Sequence, residues 1–144
     1  MRAAYAIAVS AFVLLAGVSC GGSDQDSDLK GVPWRWSGLL VGGDSTGLSP
    51  IADPANYLLR LDDDGSFIAR ADCKRVAGTY SLSGSDLTLE LTPTAKRRCG
   101  KDSRAVEYIA LLRRVATYDL YEKGSLALGL KENVGYLYFY APAQ

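Results

Sequence analysis

The chain carries three thiols, Cys20, Cys73 and Cys99, and no histidine. These are the side chains to examine first for chemistry. Without imidazole, Ser-His-Asp and Cys-His nucleophilic catalysis cannot be assembled, nor can the common His-containing zinc sites. The side chain whose unperturbed pKa lies nearest neutrality is missing. Acid–base work would fall to carboxylates, lysines or tyrosines with shifted pKa values. This argues against a conventional hydrolase, and no residue is assigned a catalytic role.

Three further groups could bind. The run Asp62-Asp63-Asp64-Gly65 invites comparison with a calcium loop. Aligning Gly65 with the invariant glycine of an EF-hand puts Arg60 at the first ligand position and Ala71 at the twelfth, and no helix pair flanks it. The run therefore reads as a solvated hairpin turn, with no metal ligands and no cofactor implied. The basic cluster Lys96, Arg97, Arg98, Lys101 and Arg104 surrounds Cys99. It could meet anionic lipid head groups or glycan, or form a solvated loop and helix start. Tyr136, Tyr138 and Tyr140 alternate along one segment. They could form a stacking surface for sugar or peptide, or serve as barrel filling and cross-strand pairs.

Cys20 closes an apolar run that begins Met1-Arg2 and has no further charge to Ser19; Gly21 to Asp28 is then polar and acidic. A charged start, an apolar stretch and small residues before a cleavage point make an export signal. The segment Leu15-Ala16-Gly17-Val18-Ser19-Cys20 resembles the lipobox of bacterial lipoproteins, with Gly17 where leucine is most frequent. The resemblance implies a diacylglyceryl group on Cys20, removal of residues 1–19 and acylation of the new amine. Two or more acyl chains hold a protein firmly on a bilayer, at about 0.8 kcal/mol per buried CH₂. The other readings are a secreted protein with a stray cysteine and an uncleaved membrane helix, although a span needs about 20 strongly apolar residues. Residues 20–29 then read as the lipidated cysteine and a flexible tether, and 30–144 as the folded domain.

Cleavage leaves about 125 of the 144 residues, enough for a domain with a single core. Basic and acidic residues balance at sixteen each, which gives no electrostatic case for nucleic acid as a partner. With Cys20 lipidated, Cys73 and Cys99 remain as an even pair in an exported domain, where disulfides persist. The alternative, a redox pair of free thiols, lacks C-x-x-C spacing.

The elements that must position these groups are mostly strands. Trp34 to Leu40 opens the pattern, with Trp34 and Trp36 on one face, and Gly42 to Pro54 reads as a loop. Tyr57, Leu59 and Leu61 alternate, Asp62 to Gly65 reverses the chain, and Phe67 and Ala69 return. Thr79 to Leu82 turns through Ser83 to Asp86 into Leu87, Leu89 and Leu91. Ala116 to Tyr121 turns at Lys123-Gly124 into Leu126, Leu128 and Leu130, and a last strand carries Tyr136, Tyr138 and Tyr140 on one face with Leu137 and Phe139 on the other. This is antiparallel hairpin grammar. The period changes once, from Ser103 to about Arg114, where Val106, Ile109, Leu112 and Val115 suggest one helical face and Ser103 a cap. The predicted fold class is α+β: an antiparallel, barrel-like sheet of about eight strands with one α-helix.

The order of short motifs has a wider likeness. Trp34-x-Trp36, Asp53-Pro54-x-x-Tyr57, Asp64-Gly65-Ser66-Phe67, Ala71-Asp72-Cys73-Lys74, Gly78-Thr79-Tyr80, Leu87-Thr88-Leu89, Thr94, Cys99, Ser103 and Tyr108 with Leu112 follow one another as in the META domain family, which includes heat-inducible envelope lipoproteins. The chain departs at Lys74, where that family usually has asparagine, and at Arg98, where it usually has alanine. The resemblance implies a small barrel with one helix, paired Cys73 and Cys99, no enzyme activity, no cofactor, and a link to stress tolerance. The expectation is a non-enzymatic, lipid-anchored envelope protein facing the extracytoplasmic space, in the outer membrane of a diderm cell, with the membrane as partner through Cys20 and an envelope protein as a second. The alternatives are a binding module for a small apolar ligand or glycan, inside the barrel or on the tyrosines, and an inhibitor of an external hydrolase.

Overall fold

The computed structural model describes residues 24–42, 47–93 and 96–143. Cys20, with its expected lipid and leader, lies outside the described residues, as does Thr94. Nine strands form one antiparallel sheet: β1 (Trp34–Val41), β2 (Ser49–Pro50), β3 (Tyr57–Leu61), β4 (Ser66–Ala71), β5 (Lys74–Ser83), β6 (Asp86–Leu91), β7 (Val115–Glu122), β8 (Ser125–Leu130) and β9 (Gly135–Tyr140). The meander from β3 to β9 closes on β1, which pairs with both ends, to give an eight-stranded barrel. Closure removes the edges an open sheet would expose. The extra strand β2 lies in the segment read as loop and pairs with β1 beyond the reach of β3, Gly38 opposite Pro50 and Leu39 opposite Ser49.

Period-two alternation puts one set of side chains inside. Trp34, Trp36, Leu59, Leu61, Phe67, Leu87, Leu126, Leu128, Leu137 and Phe139 are all buried in one core. Both tryptophans belong to it, and their indole N–H groups are satisfied: Trp34 Nε1 donates to the Leu29 carbonyl and Trp36 Nε1 to that of Gly38, each at 2.9 Å. The reversals that use left-handed backbone include Gly65 (φ +86°) in the acidic turn and Asp72 (φ +57°) between β4 and β5. Asp64 fixes the first by accepting from the Ser66 amide at 2.9 Å, and the Ser66 hydroxyl and amide hold its carboxyl below the usual range. β5 begins at Lys74 rather than at Thr79, because it pairs with β4 from Ala71–Lys74 onward.

Two helices close the barrel ends. α2 (Ala105–Leu112) follows the 92–104 connection, where β6 and β7 share only the Asp86–Thr117 pair. Its inward face is Ala105, Tyr108, Ile109 and Leu112, whereas Val106, expected inside, is 73% exposed. Ser103 does accept a hydrogen bond from a helix-start amide, that of Ala105 at 3.2 Å, from one position outside the N-cap residue Arg104. Val115 is buried, but as the first residue of β7.

The second helix, α1 (Asp24–Leu29), corrects the tether reading of residues 20–29 over its second half. Leu29 is 0% exposed within the core. Asp26 accepts a 2.7 Å hydrogen bond from Tyr118 Oη, and the Gly31 amide caps β3 at the Leu61 carbonyl. Early acidic residues favour a helix start through the macrodipole, but this helix persists because Leu29 docks. No helix among the described residues is long and apolar enough to cross a membrane.

Candidate functional site

With the interior occupied by side chains, chemistry is left to the outer wall and the two mouths. On the wall, Leu137 and Phe139 face inward and turn Tyr136, Tyr138 and Tyr140 outward. The neighbouring strand β8 presents small outward residues, Ala127 opposite Tyr138 and Gly129 opposite Tyr136. A Cβ at Gly129 would meet Thr117 and Tyr136, so side chains from β7 and β9 lean together across β8. Tyr121, from β7, meets Tyr138 edge-to-face at 6.3 Å, and Tyr138 meets Tyr136 at 6.3 Å. Tyr121 and Tyr136 are 50% and 43% exposed.

Tyr121 also borders an open cleft of about 910 Å³ between α1, the β7–β8 turn and the end of β9. Val32, Trp34, Leu120, Ala141 and Pro142 give it an apolar floor, and Gln25, Ser27, Asp28, Glu122 and Lys123 a polar rim. Apolar surface with a few convergent polar groups is the composition of ligand sites. The wall and the cleft meet at Tyr121.

The opposite mouth is basic. Composition hides this, because equal numbers of charges are separated along the barrel axis. The α1 mouth gathers Asp24, Asp26, Asp28, Asp62, Asp63, Asp64, Asp86 and Glu122 against Lys30, Arg35, Arg60 and Lys123. The α2 mouth gathers Arg70, Lys74, Arg75, Lys96, Arg97, Arg98, Lys101, Arg104, Arg113, Arg114 and Lys131 against fewer carboxylates. There Cys73 and Cys99 form a disulfide, with Cα atoms 5.6 Å apart across 26 positions. It ties the β4–β5 turn to the loop before α2. Beside it lies a depression of about 180 Å³ lined by Lys74, Arg97, Arg98, Cys99, Gly100, Ser103, Ala105 and Val106.

Groups with shifted pKa values serve the fold. Burial drives Tyr108 well up, and its Oη donates to the Leu58 carbonyl at 3.1 Å. Tyr118 is pushed up to about 12 by burial and by its bond to Asp26. Arg104 is held up by its paired bonds to Glu107 at 2.7 and 2.9 Å, and its guanidinium lies 5.0 Å from the Trp36 ring. Among the described residues no three His, Cys, Asp or Glu side chains gather into a metal-holding group.

A barrel closed on its first strand, capped by a helix at each end and clamped by one disulfide, agrees with the comparison to known families: the model of the META domain matches residues 27–142. The chain belongs to the META domain family. Among solved structures, a protein from Burkholderia xenovorans determined by NMR superposes with a TM-score of 0.64 at 17% identity, covering 100% of this chain and 98% of the other. A DUF4847 family protein from Bacteroides vulgatus gives 0.62 at 14% identity, covering 83% and 99%. At these identities the likeness establishes the fold alone. A search among curated proteins finds no significant match.

In this META barrel the sequence-predicted site residues fall into two places. Tyr136 and Tyr138 share a wall, while Tyr140 is half-buried at the strand end, opposite Arg35 of β1. Arg97, Arg98 and the Cys73–Cys99 pair meet at the α2 mouth. Tyr121 escaped the sequence reading; its signal was an aromatic side chain just before the Lys123-Gly124 turn. Lys74 escaped as well, and its adjacency to Cys73 was the signal.

Proposed function

We propose that this META-domain protein is a non-enzymatic, lipid-anchored component of the bacterial envelope that supports envelope integrity under stress through surface contacts. The observation that carries this reading is the division of labour in the barrel. The interior is filled by Trp36, Tyr108, Phe67, Phe139 and leucines, and the titratable groups with shifted pKa values are engaged in holding the fold. What meets solvent is the aromatic wall and the charged mouths.

Cys20 stands four residues before Asp24. At up to about 3.6 Å per residue, a lipid there is tethered within roughly 14 Å of α1. The α1 mouth then faces the bilayer and the α2 mouth faces away. Cell fractionation tests this: the wild-type protein should sediment with membranes and Cys20→Ala should not. Deleting the gene should sensitise cells to detergent or heat, with rescue by the wild type and not by Cys20→Ala. Rescue by soluble Cys20→Ala would overturn the anchored role.

A second reading follows from the exposed Tyr121 and Tyr136 with half-buried Tyr138 between them, a stacking surface for glycan that meets the cleft at Tyr121. Base- or sugar-like rings stack on such faces, and tyrosine supplies area at low entropic cost. Retention on immobilised cell-wall glycan that Tyr121→Ser/Tyr138→Ser abolishes would favour it; equal retention would dismiss it.

A further inference from the structure

We propose that the α2 mouth is a phosphate-binding site in which Lys74, Arg97, Arg98 and the Ser103 hydroxyl hold phosphate groups of a soluble anionic polymer. The disulfide builds the site. Cys73 precedes Lys74 and Cys99 follows Arg98, so the bond brings a strand-end lysine and two loop arginines around one depression of about 180 Å³. The ion pairs among the described residues are Arg60–Asp62, Arg104–Glu107 and Arg114–Glu132. None involves Lys74, Arg97 or Arg98. Three like charges gathered around one depression, none of them in an ion pair with a carboxylate, repel one another, and a bound anion relieves that repulsion.

The donor set selects phosphate. Guanidinium forks match phosphate oxygens bidentately, and a lysine adds a compact point charge. Ser103 Oγ already accepts from the Ala105 amide, which leaves its O–H free to donate. The depression admits a phosphate with part of its ester. The surrounding cations, Lys101 and Arg75 among them, extend the positive field along a chain of such groups, as steering by a basic surface requires. The ligand is placed on a soluble polymer rather than on the anchoring bilayer because the mouth lies opposite α1. That placement rests on the lipid-anchor reading; the site itself does not.

The test uses the full-length protein with its disulfide intact, in a non-ionic detergent. It is titrated with sodium polyphosphate, with polyglutamate of similar length, and with phosphatidylglycerol vesicles. Binding of polyphosphate is expected, with a log–log salt slope of about −2, as three contacts at about −0.7 each on a flexible chain would give. Lys74→Gln/Arg97→Gln/Arg98→Gln should weaken it at least tenfold, and Lys30→Gln/Lys123→Gln at the other mouth should leave it unchanged. No binding, or equal loss in both variants, would overturn the site. Polyglutamate binding as tightly would overturn the choice of phosphate, and binding to vesicles alone would overturn the soluble polymer. Fractionation of Cys20→Ala reads the anchor separately, so failure of the site and failure of the anchor are told apart.

Discussion

Tyr108 of α2 stacks on Trp36 of β1 with ring centroids 4.9 Å apart and planes 19° from parallel. Tyr57 meets both rings edge-on at 5.5 Å, and its hydroxyl accepts from the Arg104 amide at 2.8 Å. One helical side chain thus joins the plug to the first strand, the third strand and the helix start. Truncating Tyr108 to alanine should cost about 3–5 kcal/mol, the range for aromatic-to-alanine changes in a core. Tyr108→Phe keeps the stack and gives up the bond to the Leu58 carbonyl, for about 1 kcal/mol. Urea denaturation of the two variants measures the difference. Equal losses would mean that the stack contributes nothing.

The disulfide should stabilise the domain chiefly by restricting the unfolded chain. A closed loop of about 27 residues gives roughly 3.5 kcal/mol in the chain-entropy model. Cys73→Ser/Cys99→Ser should lower the unfolding free energy by that order. The spectrum of the folded state should stay native, because the barrel closes through backbone pairing of β1 with β9, which the bond does not join. A wild type insensitive to reductant would show that the bond leaves the unfolded state unrestricted.

Gly78 of β5 lies where a Cβ would collide with the Glu90 carbonyl and the Phe67 ring. The backbone of β6 is the obstacle, so a rotamer change cannot relieve it. Gly78→Ala should destabilise by at least about 1–3 kcal/mol, the usual penalty of overpacking. Thermal melts provide the measurement, and an unchanged midpoint would mean that β5 and β6 separate readily at this pair.

Alternation made most of the barrel legible, because a strand with one buried face writes its register into the chain. Leu87, Leu89, Leu137 and Phe139 do so directly. The misses have physical causes. Aliphatic periodicity places Val106 on the inward helix face, whereas the buried set Ala105, Tyr108, Ile109 and Leu112 includes a tyrosine whose polar tip must find a carbonyl. Ser49–Pro50 is too short to carry a period. The tyrosine wall was legible as an alternation but not as a surface. Its membership depends on Tyr121 crossing β8 over Ala127, a long-range register that local sequence does not encode. Zero net charge concealed the basic mouth, because composition carries no information about which end of the barrel a turn occupies.

The segment read as tether offers the last test. Asp24–Leu29 has one apolar residue, yet Leu29 is fully buried and Tyr118 Oη donates to Asp26 at 2.7 Å. Leu29→Ala should cost about 2–5 kcal/mol, whereas a true tether would tolerate it. The burial of Tyr118, together with its bond to Asp26, adds a pH signature. Its phenol titrates at about 12 in the folded protein, against an ordinary value of 10.0. Between those values the unfolded chain gives up this proton and the folded chain keeps it, so unfolding gains as pH rises. The stabilisation is complete below pH 10 and is lost on approach to pH 12, amounting to about 2–3 kcal/mol at 1.36 kcal/mol per unit. Tyr118→Phe should be less stable than the wild type at pH 8, and the gap should close by pH 12. A gap that stays constant across that range would mean that Tyr118 is neither buried nor held by Asp26 in the folded protein.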